Sequence, residues 1–290
     1  MLWLLLSILT NSALLLILKA FDRFHVNTLQ GIVVNYLVAG SLGFILSGLP
    51  LPLGELPHQP WSWVPPVLGV LFISIFFLLA RTAQTIGVSV ATVANKMSVV
   101  IPVFAAILLY HESVTVLKIA GVMIAVVAVY FTSLPKEKTG TSLWRHLLLP
   151  VIVFIGSGII DALVNHAKNR LVPDNQLPAF ISLSFLTAFC IGVIIITTKI
   201  IRGKEKFETK SIAAGIVLGL PNYFSIYGMT RALGSGIMES SALYPVNNMG
   251  IVIVSALGAL LFFRERLSWK NWLGIFLSLG AIAMIAIHLN

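Results

Sequence analysis

The chain of 290 residues contains a single cysteine, Cys190, and only ten acidic residues. One thiol excludes an intrachain disulfide and a cysteine-built metal centre. Charged residues make up 10% of the chain, against roughly 25% in an ordinary soluble domain. A water-soluble fold needs a polar skin whatever the size of its core, so the shortage excludes one. Catalytic signatures are missing as well. There is no HExxH pair, no Gly-x-Ser-x-Gly elbow, no phosphate loop and no Cys/His cluster. A basic leader is also lacking. The apolar run Leu2 to Leu18 has neither a positive n-region nor an Ala-x-Ala-like exit, so it is expected to be a retained helix and not a signal peptide.

What the sequence does have is hydrophobicity: 58% apolar residues and a mean hydropathy of +0.98. Ten runs, near 2–20, 28–48, 63–82, 87–110, 116–134, 147–167, 178–200, 211–231, 237–263 and 269–288, approach the ~20 residues that a membrane helix requires. The expected fold is therefore an all-α integral membrane protein with ten transmembrane helices and the lipid bilayer as its solvent. The net charge of +9 does not imply nucleic acid. The cations sit in short connections between apolar runs, where they act as topology determinants.

One stretch organises the whole. Asn95-Lys96-Met97-Ser98 through Pro102, Glu112 and Gly121 to Ala128 matches a second stretch 153 residues later. Asn95 falls on Asn248, Ala106 on Ala259, Glu112 on Glu265, Thr115 on Ser268, Gly121 on Gly274 and Ala128 on Ala281. Further upstream the match is weaker and the offset is 149, with Ser12 on Asp161 and Lys19 on Lys168; Arg81 falls on Arg231. The expected domains are thus two repeats, 1–140 and 141–290. Five helices per copy is an odd number, so the copies are expected to be inverted, as in transporters built from structural repeats. Fourteen Lys and Arg residues lie in the odd connections and four in the even ones, which predicts odd connections in the cytoplasm and both termini outside.

The helix-Glu-turn-helix motif resembles the drug/metabolite transporter superfamily, specifically its ten-helix branch with two EamA-type domains. Pro102-Val103-Phe104 followed by Glu112, and Glu265-Arg266-Leu267-Ser268 followed by Trp272-Leu273-Gly274, carry the resemblance, which covers essentially the whole chain. It implies secondary transport, commonly export of amino acids or other small metabolites, through a central cavity lined by the third, fourth, eighth and ninth helices with parts of the first and sixth. It also implies termini in the cytoplasm, opposite to what this chain's charges predict.

Polar residues inside the spans are the site candidates, because each must be paired or face water. Lys96 lies near the middle of the fourth span, where a lysine costs roughly 3 kcal/mol. It is expected to anchor a substrate carboxylate or serve proton coupling, or else to pair with Asp161. On the sixth span Asp161, Asn165 and Lys168 share a face. On the eighth, Pro221-Asn222-Tyr223 falls at the midpoint, and Tyr223, Tyr227 and Arg231 form a stripe. On the ninth, Ser241, Tyr244, Asn248 and Ser255 share one face beside Pro245 and Gly250, matched on the fourth by Asn95, Ser98 and Pro102. The substrate-binding set is accordingly Lys96, Asn95, Asp161, Asn165, Asn222, Tyr223, Tyr227, Tyr244 and Asn248. Interhelical pairing is the competing reading for each. Asn11, Ser12 and Asn35 are weaker candidates. Glu112 and Glu265 are expected to be structural, beside the capping residues Thr115 and Ser268. Gly156-Ser157-Gly158 is expected to be a packing surface.

The reading is a multi-pass monomer of the bacterial inner membrane that moves a small polar metabolite by alternating access, with no cofactor and no metal. The alternative is an integral membrane enzyme or receptor with a polar intramembrane site.

Overall fold

The computed structural model describes residues 1–47, 53–110, 116–134, 143–235 and 240–286. Among these no strand occurs. The helices are α1 (Leu2–Arg23), α2 (Thr28–Ser47), α3 (Val64–Thr85), α4 (Val88–Met97), α5 (Val100–Tyr110), α6 (Val116–Ser133), α7 (Leu143–Arg170), α8 (Leu177–Ile201), α9 (Thr209–Leu233), α10 (Ser240–Phe263) and α11 (Trp269–Ala286). Short 3₁₀ turns cover Leu53–His58 and Asp174–Gln176. Among the described residues, eight stretches are long and apolar enough to cross a membrane, with Val88–Ala105 spanning α4 and the start of α5. Two further apolar helices, Ile119–Ser133 and Trp269–Ile285, are shorter. The chain is an all-α, multi-span membrane protein. Glu112 and Thr115, and the middle link at Lys136 and Lys138, lie outside the described residues.

The helices sort into two compact units, each discontinuous in sequence. The first comprises Met1–Ala20, Leu78–Ile159 and Phe224–Asn290. Within it α6 runs along α11, and α4 packs on both α6 and α10. Two glycines permit the α6–α11 approach. A Cβ on Gly121 would lie 3.2 Å from the Ala281 carbonyl, and one on Gly274 would lie 2.9 Å from the Ala128 carbonyl. Asn271, buried at the start of α11, ties the pair together. Its Nδ2 donates to the carbonyls of Thr132 (2.7 Å) and Leu134 (3.1 Å), where α6 runs out of its own donors. Its Oδ1 accepts from Ser268 N (2.9 Å) while Ser268 Oγ accepts from Asn271 N (3.3 Å), a capping box with asparagine at the third position. Ser268 thus caps, as its sequence position predicts. An apolar cluster of Leu4, Ile8, Ala232, Leu243 and Ile251 completes this unit's core between α1, α9 and α10.

The second unit comprises Phe21–Phe77 and Ile160–Tyr223. Here α2 runs along α8, again on glycines: a Cβ at Gly43 would strike the Ser182 side chain, and one at Gly192 the Val33 side chain. Gly69 faces Thr187 and Ala188 on α8, and Gly219 faces Val38 on α2. Tyr36 fills the centre, with ring centroids 5.7–6.3 Å from Phe72, Phe76 and Phe185. Its hydroxyl donates to the Phe72 carbonyl at 2.9 Å, so no polar atom of the ring is stranded. Trp61 is fully buried and donates from Nε1 to Gln176 Oε1 at 2.8 Å, pinning the end of the proline-rich connection.

Candidate functional site

The fourth span, Val88–Ala105, runs on as one apolar stretch but its helical hydrogen bonding is locally interrupted, with Ser98 still right-handed at φ −55°, ψ −18°. α4 stops at Met97 and α5 begins at Val100, leaving a break at Ser98-Val99. Pro102 is the local cause, because it has no N–H to offer the Ser98 carbonyl and its ring crowds that carbonyl. The backbone tightens instead. Ile101 N donates to Ser98 O at 2.9 Å, and the Ser98 hydroxyl donates to the Asn95 carbonyl. Asn95 and Lys96 occupy the last turn of α4, where unpaired carbonyls favour a cation. Lys96 is half-buried.

The other end of α4 is held by a carboxylate. Val88 N donates to Glu265 Oε1 at 2.7 Å, and Ser89 Oγ lies 3.4 Å from Oε2. Gly87 precedes the helix at φ 148°, and a Cβ there would sit 3.1 Å from Glu265 Oε2, so glycine is what lets the acid reach the helix N-terminus. Glu265 therefore has the structural role that its place in a turn suggests. The bond crosses 177 positions of sequence.

Two more contacts fix the break. Asn95 Nδ2 donates to Ser157 Oγ at 2.9 Å. A Cβ on Gly158 would come within 2.6 Å of Ile101 Cβ, so α7 approaches α5 as closely as glycine allows. The Gly156-Ser157-Gly158 motif is a packing surface, and what it packs on is the broken helix.

On α10, Asn248 is half-buried and Tyr244 is 45% exposed. Sequence reasoning passed over Asn247, which is buried with its Oδ1 lacking a donor among the described residues. Such an acceptor in a buried place points to a bound water or ligand. Gly250 packs against Ile8, and Ser12 Oγ lies 3.5 Å from the Ile251 carbonyl. The middle of α10 thus leans on α1, just as the α4–α5 break leans on α7. Nearby in this unit, the Tyr227 ring meets Trp3 edge-on at 5.7 Å, and the Arg231 guanidinium lies 5.3 Å from the Trp3 ring and 5.7 Å from the Tyr227 ring. Of the expected stripe of Tyr223, Tyr227 and Arg231, the last two meet on Trp3, while Tyr223 belongs to the second unit. Trp3, which joins those two, sits too near the chain start to draw notice in a sequence scan.

The remaining candidates belong to the second unit. Asn222 is buried and donates to Asn35 Oδ1 at 3.0 Å. Asn35, fully buried, keeps an Nδ2 without an acceptor among the described residues. Tyr223 is buried beside Gly43. Asp161 and Asn165 are exposed on α7, and Asn165 Oδ1 accepts from Asn169 Nδ2 at 3.0 Å. The structure thus gathers Asn95, Lys96, Tyr227, Tyr244 and Asn248 into one unit and Asp161, Asn165, Asn222 and Tyr223 into the other. Among the described residues no group of three or more His, Cys, Asp or Glu is placed to hold a metal ion.

No family model matches the chain. It is 28% identical over 285 residues to an uncharacterized protein of Haemophilus influenzae, covering 95% of this chain and 94% of that one. It also superposes on a protein of known crystal structure with a TM-score of 0.63 and 17% identity, over 100% of this chain and 98% of the other. That likeness is one of fold.

Proposed function

We propose that this protein is a ten-span secondary transporter of the drug/metabolite transporter type, moving a small polar metabolite by alternating access. The observation that carries the reading is the interrupted fourth span with Asn95 and Lys96 at its break. Discontinuous helices are tolerated at membrane depth where the freed backbone faces protein or a cavity, and in repeat-built transporters they form the midplane site. Lys96 supplies the charge for a substrate carboxylate, and the Asn95–Ser157 pair fixes the backbone beside it.

The packing supports two inverted repeats. Gly121 meets Ala281 while Gly274 meets Ala128, and both glycine and partner are related by the same 153-residue offset. Gly43 meets Ser182 while Gly192 meets Val33, and both are related by 149. Reciprocal contacts of this kind are what a twofold axis produces. Each compact unit is also assembled from corresponding parts of the two halves. The 18 residues of α6 and of α11 rise ~27 Å, close to the ~30 Å hydrocarbon core, which supports counting them as the fifth and tenth spans.

The reading is tested by counterflow of radiolabelled amino acids and related carboxylates in proteoliposomes of the purified protein. Saturable exchange of at least one small polar metabolite is the expected result. Chemical conversion of a metabolite without its exchange across the bilayer would favour the enzyme alternative.

A further inference from the structure

The stretch from the last turn of α8 to the first turn of α9 carries five cations in twelve residues: Lys199, Arg202, Lys204, Lys206 and Lys210. Such a run needs no fixed structure to orient a membrane protein, since the positive-inside rule counts charges. This one is folded. α8 ends with Lys204 N donating to Lys199 O and Gly203 N to Ile200 O, both at 2.9 Å, around Gly203 at φ 66°. That is the helix stop which requires a left-handed residue. Buried Gln30 then clamps the loop, donating to Lys206 O at 2.8 Å and accepting from Glu208 N at 3.0 Å.

The acids turn inward and the cations outward. Glu205 accepts from Lys199 Nζ at 2.6 Å and from Asn27 Nδ2 at 3.3 Å, and Glu208 lies 3.5 Å from Lys210. Arg202, Lys204 and Lys206 are exposed and have no ion pair with an acid among the described residues. Beside them Phe207 is 62% exposed and Ile201 79% exposed. The α1–α2 connection, joined through Asn27, adds Arg23 and Phe24, the latter 68% exposed, with Asp22 the one further acid.

An aromatic ring held in the open at the end of a membrane helix, ringed by cations, suits the boundary between acyl chains and headgroups. Phosphate is the group that arginine and lysine bind there. We infer that this patch is a binding site for an anionic phospholipid, with Arg202, Lys204 and Lys206 on the headgroup phosphate and Phe207 set into the acyl boundary. Charge complementarity selects the anionic lipid, and the exposed rings select a lipid over a soluble anion.

The test is a titration of the full-length protein in neutral detergent with phosphatidylglycerol, phosphatidylcholine or inorganic phosphate, read by native mass spectrometry and thermal unfolding. Phosphatidylglycerol is expected to bind at least ~10-fold tighter than phosphatidylcholine. Three cations at about 1 kcal/mol each and 1.4 kcal/mol per decade predict a loss of about 100-fold in R202Q/K204Q/K206Q. Phe207→Ala keeps the charges and should weaken both lipids several-fold. Should the triple variant not fold, about 0.5 M salt on the unaltered protein should abolish the preference by screening. Equal binding of the two lipids, a salt-insensitive preference, or displacement of phosphatidylglycerol by equimolar phosphate would overturn the inference.

Discussion

Lys96→Met is expected to reduce counterflow by about 30-fold or more while leaving the protein folded. Methionine keeps the length and the apolar stem and deletes only the ammonium. Truncating a hydrogen-bonded charge in a binding site costs about 2–5 kcal/mol, and the lower figure already corresponds to a ~30-fold loss. The position explains why. Lys96 sits in the last turn of α4, one residue past the amide that Ser157 holds, where the helix stops short of Pro102. A charge there is fixed relative to the break and not carried on a flexible loop. Uptake and melting temperature should be measured together. Normal uptake by a stable Lys96→Met protein would remove the anchoring role, and a lowered melting temperature with uptake intact would make Lys96 a structural residue.

The largest stability effect is expected at Gly274. A Cβ there would lie 2.5 Å from Thr132 N and 2.9 Å from the Ala128 carbonyl. Both are backbone atoms and cannot turn away, so α6 and α11 must separate to admit a side chain. Gly274→Leu should destabilise by about 3 kcal/mol, the upper part of the range for overpacking. Gly280 on the same helix is the control. Nothing lies within 4 Å of its position, so Gly280→Ala should be neutral or stabilise by up to about 1 kcal/mol. Gly121→Leu should fall between these, because the nearest atom is the Ile285 side chain at 2.8 Å, which can yield. Thermal unfolding of the three variants in one detergent decides the order. A Gly274→Leu protein as stable as the unaltered one would mean that the two helices do not meet on their glycines.

The parts of this structure legible in the sequence are those encoded locally or by repetition. Ser268 marks the start of α11 as a hydroxyl placed to cap. Gly121 and Gly274 stand out because they recur at one offset, and the same recurrence aligns Asn95 with Asn248. What the sequence hides is pairing across distance. Asn35 and Asn222 each look like an isolated polar residue in an apolar helix, and only the fold joins them. Glu265 reads as a turn residue, and nothing in its neighbours names the N-terminus of α4 as its partner. Asn247 and Asn248 adjoin, so a stripe argument that selects one faces the other away, yet the buried acceptor without a donor is on Asn247. Asp161 lies inside the apolar stretch His146–Arg170, as its sequence position predicts, and its side chain is exposed there. Hydropathy gives a residue's place along a helix axis and says little about which way it faces.

Alternating access is the central claim, and one accessibility measurement tests it most directly. Val99 lies in the break itself, half-buried and one turn beyond Lys96. Val99→Cys, in a protein whose exposed Cys190 has been replaced by serine, should be labelled by a membrane-impermeant thiol reagent in sealed vesicles of either orientation. Labelling on the two sides should shift in opposite directions when a transported metabolite is added. Labelling from one side only, unchanged by any metabolite that binds, would contradict the account and leave a fixed intramembrane pocket in its place.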